Sequence, residues 1–235
     1  MRQLQLPTRF MGRWLMTLLL VMITSLAAKA AEAYACYTPS NTTLTFYYDN
    51  LRSTRSGSTH DLNTGEITPI WYRDGTNTFV TKVIFDSSFA NFRPTTTYSW
   101  FYDMKNLQSI TGISNLNTSE VTNMRFMFCN CSKLTSLDLS HFNTSKVTDM
   151  GSMFWGCSSF ATLDLRSFNT AKETKMDNMF LKCTALTSLD LSSFNTANVT
   201  DMSDMFFYSS NLRAVYVGNG WKTTAVIHSE EMFSH

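Results

Sequence analysis

Histidine is scarce in this sequence. The four that occur are scattered, with neither a second histidine nor a glutamate at the spacing of a metalloprotease site. A G-x-S-x-G motif, a phosphate-binding loop and a dinucleotide-binding glycine motif are also missing. Because no residues typical of catalysis are grouped, the sequence predicts a protein that is not an enzyme and that has no cofactor or metal site.

Charged residues are few as well, at 16% of the chain, whereas hydrophobic residues make up 43%. This balance favours a folded protein over a disordered one. The formal net charge is +1, but residues 1–30 contain four basic residues and no acidic one. The rest of the chain is therefore slightly acidic, and it offers no strongly basic surface to attract nucleic acid.

An uncharged, largely apolar run from Trp14 to Ala28 follows three arginines. The run is short for a membrane span, and it ends at Ala28-Lys29-Ala30, which fits a small-residue cleavage site. These features predict a signal peptide over residues 1–30. An uncleaved membrane anchor is one alternative. A lipid anchor at Cys36 is another, although the residues before it lack the large aliphatic side chain usual at a lipoprotein cysteine.

A unit of 26 residues is repeated without gaps, and its near-identical copies start at Leu116, Phe142, Phe168 and Phe194. Degenerate copies precede them and an incomplete copy follows. One part of the unit reads L-x-x-L-x-L, as in Leu134, Leu137 and Leu139. Its apolar-polar-apolar end is typical of a short strand with one buried face.

The other part of the unit spaces its apolar residues mostly three apart, as in Val147, Met150, Met153, Phe154 and Cys157. This spacing predicts one apolar stripe on a short helix or on 3-10 turns. A single unit cannot bury such a face, so neighbouring units must cover one another. The sequence therefore predicts an α/β repeat solenoid of the leucine-rich-repeat type, with a parallel sheet on the concave side and the helices or turns on the convex side.

Six strands are expected in that sheet, near residues 83–85, 110–113, 137–139, 163–165, 189–191 and 215–217. Residues 31–79 differ from the repeats. Their alternating segment Thr42–Asp49 and their turn at Asp74-Gly75 predict a small β-rich N-terminal cap. The predicted domains are the signal peptide at 1–30, the cap at 31–79 and the repeats at 80–235, with the last unit incomplete.

The motif LTSLDLSxFNTSxVTxMxxMFxxC, read from Leu134 to Cys157, resembles that of the BspA-like leucine-rich-repeat surface proteins, also described as the bacterial surface protein 26-residue repeat family. The resemblance covers most of the chain after the signal peptide. It implies an exported or surface protein of bacteria with a role in adhesion. The chain departs from ordinary leucine-rich repeats where phenylalanine, as at Phe142, replaces an asparagine. A column of valines is also interrupted by Glu173.

Cysteine and methionine recur in register with the repeats. Cys131, Cys157 and Cys183 occupy one position of the unit, where the next copy has Ser209. A small buried residue explains this recurrence better than a metal ligand does, because a zinc site needs four converging ligands. The regular methionines are likewise interpreted as core filling in preference to a copper site.

Asp138, Asp164 and Asp190 each lie between two leucines that should be buried, so their side chains are expected on the exposed concave face. In register they form an acidic column, which Tyr216 extends and Arg166 flanks. One hypothesis is that these five residues contact a basic or cation-bearing partner. The other is that neighbouring polar side chains satisfy the aspartates, which only keep the surface soluble.

The sequence thus favours an exported bacterial protein, secreted or in the cell envelope, that binds extracellular protein or glycan in adhesion. A non-binding structural or stalk protein is the alternative, and an exported enzyme comes third. Membrane contact is expected only through the signal segment or the alternative lipid anchor at Cys36. The uncapped C-terminal unit offers a surface for self-association.

Overall fold

The computed structural model describes residues 29–233, and the elements below belong to one compact unit, Glu32–His235. The strands are β1 (Glu32–Thr38), β2 (Thr43–Asp49), β3 (Ser58–Asp61), β4 (Lys82–Phe85), β5 (Ser109–Thr111), β6 (Ser188–Leu191) and β7 (Ala214–Val217). One α-helix, α1 (Ile70–Arg73), is described. The 3-10 helices are Pro39–Asn41, Arg52–Thr54, Thr76–Thr78, Ser87–Asn91 and Ile113–Asn115.

The first five strands form a mixed sheet in the order β3-β1-β2-β4-β5. Strand β1 pairs antiparallel with β2 and β3, whereas β2–β4 and β4–β5 are parallel. Aromatic packing holds this end of the molecule together. The Phe46 ring stacks on Phe85 and on Trp100, with centroid distances of 4.7 and 5.1 Å. All three rings are almost completely buried, so they form the centre of the core beneath the sheet.

Most backbone pairing between consecutive repeat units is not at the L-x-L segments, where the sequence predicted it. Isolated parallel bridges connect Thr96, Asn123, Asp149, Lys175, Asp201 and His228, one residue per unit. From Asn123 onward, each of these residues comes two positions after the valine of its unit, or after Glu173 where that glutamate replaces the valine. The main line of inter-unit pairing therefore runs through the Val-to-Cys half of the repeat.

The segment Met150–Cys157 forms consecutive tight turns and no helix. Ser152 and Gly156 have φ angles of 58° and 72°, which right-handed helices do not contain. The N–H of Met153 donates to the carbonyl three residues earlier at 3.1 Å, whereas the N–H of Ser152 donates to Asp177 in the next unit at 2.7 Å. Because alternate donors bond to the neighbouring unit, the segment cannot form the i to i−4 pattern of an α-helix.

The predicted fold class, an α/β leucine-rich-repeat-like solenoid with one parallel sheet and convex helices, is therefore wrong. Four of the six expected strands coincide with β4, β5, β6 and β7, but they lie in two separate sheets, because β6 pairs with β7 alone. Near 137–139 and 163–165 the described chain forms no strand. In these two units the backbone hydrogen bonds to the neighbouring units are made by the bridge residues and the turns, and not by the L-x-L segment.

The predicted core positions are confirmed. Val147, Met150, Met153, Phe154 and Cys157 are completely buried. Phenylalanines stack from one unit to the next, with Phe154 and Phe180 at a centroid distance of 5.8 Å and 6° between ring planes. Each unit thus buries its apolar residues against the next one.

The predicted signal peptide lies outside the described residues, except for its last two positions. Within the described part of the chain, none of the helices has the length and apolar character needed to cross a bilayer. The alternative anchor residue, Cys36, lies in the middle of β1, where it is buried and pairs in register with Thr45 and Thr59.

Candidate functional site

The three aspartates Asp138, Asp164 and Asp190, called the acidic row below, are exposed to solvent. The leucine that follows each of them is at least 99% buried. The expectation that these side chains face water is therefore confirmed, whereas their role in binding stays a prediction. Asp164 opposes the ionisation of both other carboxyl groups, as neighbours in a single row do.

Each carboxylate of the acidic row is held by its own backbone. The Oδ1 atoms of Asp138, Asp164 and Asp190 accept the N–H of the residue two positions later, at 3.0, 3.1 and 2.9 Å. This is the turn that aspartate side chains commonly form. The same orientation is thus repeated in three consecutive units.

Local hydrogen bonds also keep the acidic row charged. Hydrogen bonds from Ser140 lower the pKa of Asp138, and hydrogen bonds from Ser192 lower the pKa of Asp190. The Arg166 side chain lowers the pKa of Asp164 to about 2. All three carboxyl groups are therefore ionised at neutral pH.

Arg166 and Tyr216 lie against the acidic row as the sequence suggested. The guanidinium of Arg166 donates to both carboxylate oxygens of Asp164, at 3.0 and 2.6 Å. Tyr216 is the register partner of Asp190 across β6 and β7, and it is 61% exposed. The charge of Asp164 is thus neutralised locally, while Asp190 and the Tyr216 ring remain side by side on the surface.

A second charged group, which was not expected, is half-buried among the turns. Arg125 donates to Asp177 through both terminal nitrogens, at 2.8 and 2.7 Å, and to Asp149 at 3.4 Å. Burial opposes ionisation of Asp177, but the hydrogen bonds from Arg125 outweigh it and lower the pKa. Burial raises the pKa of Asp149. The repeat spacing could have revealed this group, because positions 125 and 177 are two units apart.

Glu173 is completely buried in the column that otherwise contains valines. Its Oε1 accepts the N–H groups of Thr174 and Lys175, both at 3.0 Å. Its Oε2 has no hydrogen-bond partner among the described residues. Burial raises the pKa of this carboxyl to about 8, and the nearby Asp149 charge adds to the effect. Glu173 is therefore protonated at neutral pH.

All five cysteines are free and buried. The thiols of Cys131, Cys157 and Cys183 donate to carbonyl oxygens of the preceding unit at 3.0–3.2 Å. The Ser209 hydroxyl makes the same bond to Phe180 at 2.7 Å. Within residues 29–233, no three histidine, cysteine or acidic side chains are grouped as metal ligands. The cysteine column is thus a line of small buried side chains, as interpreted from the sequence, and its thiols also donate hydrogen bonds between units.

Comparison with known proteins identified one matching family and one similar solved structure. A family described as "Mycoplasma protein of unknown function, DUF285" matches residues 95–214 and 133–235. No curated protein matches. The crystal structure of a leucine rich cell surface protein from Faecalibacterium prausnitzii A2-165 is 18% identical, with a TM-score of 0.31. The alignment covers 88% of this chain and 46% of that protein, so this chain spans less than half of its length.

The family match includes all four near-identical copies of the 26-residue unit. It supports a related repeat family and not the BspA-like proteins specifically. Because a single match, residues 95–214, already extends over half of the 235 residues, the chain belongs to the DUF285 family.

Proposed function

We propose that this protein is an exported bacterial surface protein whose repeats bind extracellular protein or glycan partners in adhesion. Export is supported by the apolar run that follows three arginines at the N-terminus. Binding rests on the acidic row, with its three ionised and exposed carboxylates in a fixed orientation. The protein acts as a binding surface and not as an enzyme in this proposal, and it uses no cofactor.

The chemistry of the acidic row favours a basic or cation-bearing partner. Asp138 and Asp190 have no cationic side chain bonded to them in the described structure, whereas Asp164 is paired with Arg166. Tyr216, beside Asp190, adds an aromatic ring that suits a guanidinium or ammonium group. Contacts between exposed charges are screened by salt, so the affinity should fall as ionic strength rises.

A structural envelope or stalk protein is the second candidate. In its favour, each carboxylate of the acidic row already accepts a hydrogen bond from its own turn, and the row has nearly the same neighbours in every unit. Such uniformity suits a surface that only has to stay soluble. The two candidates differ in whether neutralising the row changes any interaction.

The test is binding of the purified protein to immobilised extracellular-matrix proteins and glycans, measured at low and at physiological salt. The variant combines Asp138→Asn, Asp164→Asn and Asp190→Asn. Asparagine can still accept the turn N–H through its own oxygen, so the fold should be retained. A charge-matched control combines Glu66→Gln, Glu120→Gln and Glu230→Gln, three exposed acids outside the row.

Saturable binding that is lost in the aspartate variant and kept in the control supports the proposal. Binding that both variants keep moves the partner site away from the acidic row. If the folded protein binds nothing in either salt condition, the structural role is favoured. Circular dichroism of each variant shows whether the protein is folded.

A further inference from the structure

An open groove of about 460 Å³ lies on the surface of the turns, within the size range of small-molecule sites. It is called the Gly156 groove below. Its lining consists of Asn130, Gly156, Ser158, Lys182, Thr184, Tyr208 and Ser210. The groove contains no residue of the acidic row, so a ligand could bind in it independently of that row.

Gly156 lets the Asn130 side chain of the preceding unit lie directly against its backbone. Asn130, Gly156, Lys182 and Tyr208 occupy the same position in four consecutive units, and all have φ angles between 57° and 72°. A Cβ atom at Gly156 would lie only 2.2 Å from the Oδ1 atom of Asn130. The neighbouring units carry side chains at this position, whereas at Gly156 the Asn130 amide occupies the space that a side chain would need.

Lys182 supplies a positive charge to the groove. Its Nζ lies 5.9 Å from the centre of the Tyr208 ring. Among the described residues, no carboxylate lies within ion-pair distance of Lys182, and none of the seven lining residues is acidic. Arg213 donates to the carbonyl oxygen of Ser210, which places a second cation near the groove. Asp103, which accepts a hydrogen bond from Asn130, is itself paired with Lys105. The charge of Lys182 therefore favours an anion in the groove.

The remaining lining suits a sugar ring. The Tyr208 side chain is about half exposed, and tyrosine combines an apolar ring face with a polar hydroxyl. The hydroxyls of Ser158 and Ser210 make no hydrogen bond to another described residue. The side-chain amide of Asn130 donates to Asp103 at 3.2 Å and keeps its oxygen towards Gly156. Asn130 and the two serines could therefore donate hydrogen bonds to the hydroxyl groups of a ligand and accept hydrogen bonds from them.

We propose that the Gly156 groove binds a carboxylated sugar residue of a glycan. The apolar face of the pyranose ring packs against Tyr208. The carboxylate accepts a charge-assisted hydrogen bond from Lys182, and the hydroxyls bond to Asn130 and to the two serines. A neutral sugar would make the ring contact alone, so the site discriminates by charge.

The test is isothermal titration calorimetry of the purified protein with saccharides of matched size. The acidic probes are a tetrasaccharide of alternating glucuronic acid and N-acetylglucosamine, and sialyllactose. Their neutral controls are a tetramer of N-acetylglucosamine, and lactose. We expect saturable binding to at least one acidic probe, with an affinity at least tenfold higher than that for its neutral control.

Three variants locate the binding. Lys182→Met removes the charge, and Gly156→Asn forces the Asn130 amide out of its place, because a Cβ atom at position 156 would lie 2.2 Å from its Oδ1 atom. Each should weaken binding at least tenfold. Lys133→Met removes an exposed charge outside the groove, so it should leave the affinity within twofold of the original value.

The proposal is overturned if the folded protein binds neither acidic probe, or if it binds the neutral controls equally well. It is also overturned if Lys182→Met and Gly156→Asn both bind like the unmodified protein. Binding that is lost in the triple aspartate variant but kept in Lys182→Met would also overturn it, because the saccharide would then bind outside the Gly156 groove. Thermal unfolding of each variant shows whether a loss of binding is a loss of fold.

Discussion

Arg125 and Asp177 form a bidentate ion pair across an intervening repeat unit, with distances of 2.8 and 2.7 Å. The unit between them carries Gly151 at the equivalent position, 26 residues from each. A Cβ atom at Gly151 would lie 1.9 Å from Nη1 of Arg125 and 2.6 Å from Oδ1 of Asp177. The glycine therefore provides the space through which the guanidinium reaches its partner.

Replacing this glycine should break the ion pair. Gly151→Ala is expected to lower the free energy of unfolding by about 1–3 kcal/mol, because it displaces Arg125 and leaves the largely buried Asp177 without its partner. Urea denaturation followed by circular dichroism measures the change. Asp177→Asn should have a similar cost.

A double-mutant cycle tests the explanation. If Gly151 acts through the ion pair, Gly151→Ala combined with Asp177→Asn should cost clearly less than the sum of the two single changes. Fully additive costs would mean that the glycine is needed for another reason. Asp149→Asn serves as a milder comparison, since Asp149 makes a single, longer contact of 3.4 Å to Arg125.

A buried threonine connects each unit to the next. The Thr144 hydroxyl donates to the carbonyl of Asn169 at 3.0 Å and accepts its N–H at 2.8 Å. Thr144→Val keeps the shape but leaves both backbone groups of Asn169 unpaired, so a loss of about 2 kcal/mol in unfolding free energy is expected. Thr144→Ser keeps the hydroxyl and should cost less than half as much. Equal costs would show that the methyl contacts, which Thr144→Ser removes, contribute as much as the hydrogen bonds.

The cysteine column should tolerate serine but not alanine. The Cys157 thiol donates to the carbonyl of Phe128 at 3.0 Å, and Ser209 makes the equivalent bond in its own unit. Cys157→Ser should therefore stay closer in stability to the unmodified protein than Cys157→Ala does. Burial also raises the pKa of Cys157 well above its usual value, so thiol reagents should react only after denaturant is added. Rapid labelling of the folded protein would contradict this placement.

The buried apolar positions and the exposed acidic row could be predicted from the sequence, because both follow from the 26-residue repeat and its apolar pattern. Positions such as Val147 and Met150 recur as apolar residues and are all buried. An aspartate between two leucines, such as Asp164, must face the other way and is exposed. Neither inference depends on how the units are bonded together.

The fold class could not be predicted in the same way, because it depends on where the backbone N–H groups bond. The spacing of Met150 and Met153 fits one face of a helix, yet it fits a chain of turns equally well. Positive φ angles at Ser152 and Gly156 and the bonds to the next unit decide between them. The Arg125–Asp177 pair does not follow from the apolar pattern, because its two charges belong to units that are not adjacent.

Glu173 should make the stability of the protein depend on pH. Its pKa is raised by burial to about 8 in the folded state, compared with 4.5 for an ordinary glutamate. Below pH 4.5 both states hold the proton, so the neutral carboxyl costs nothing extra there. Between pH 4.5 and 8 the unfolded chain releases the proton that the folded chain keeps, so the free energy of unfolding falls as pH rises and levels off above about 8.

Glu173→Val places in this column the residue found at Val147 and Val199, and it removes the titration. The melting temperature of the unmodified protein should fall between pH 5 and 8 relative to that of Glu173→Val, whereas groups such as His60 titrate in both proteins and cancel. Glu173→Gln is the matched control, since its oxygen can still accept the N–H groups of Thr174 and Lys175, and it should also lack the pH-dependent fall. Identical pH profiles for all three proteins would show that Glu173 is not titrating in a buried position, because a buried carboxyl with this pKa must release its proton at a stability cost.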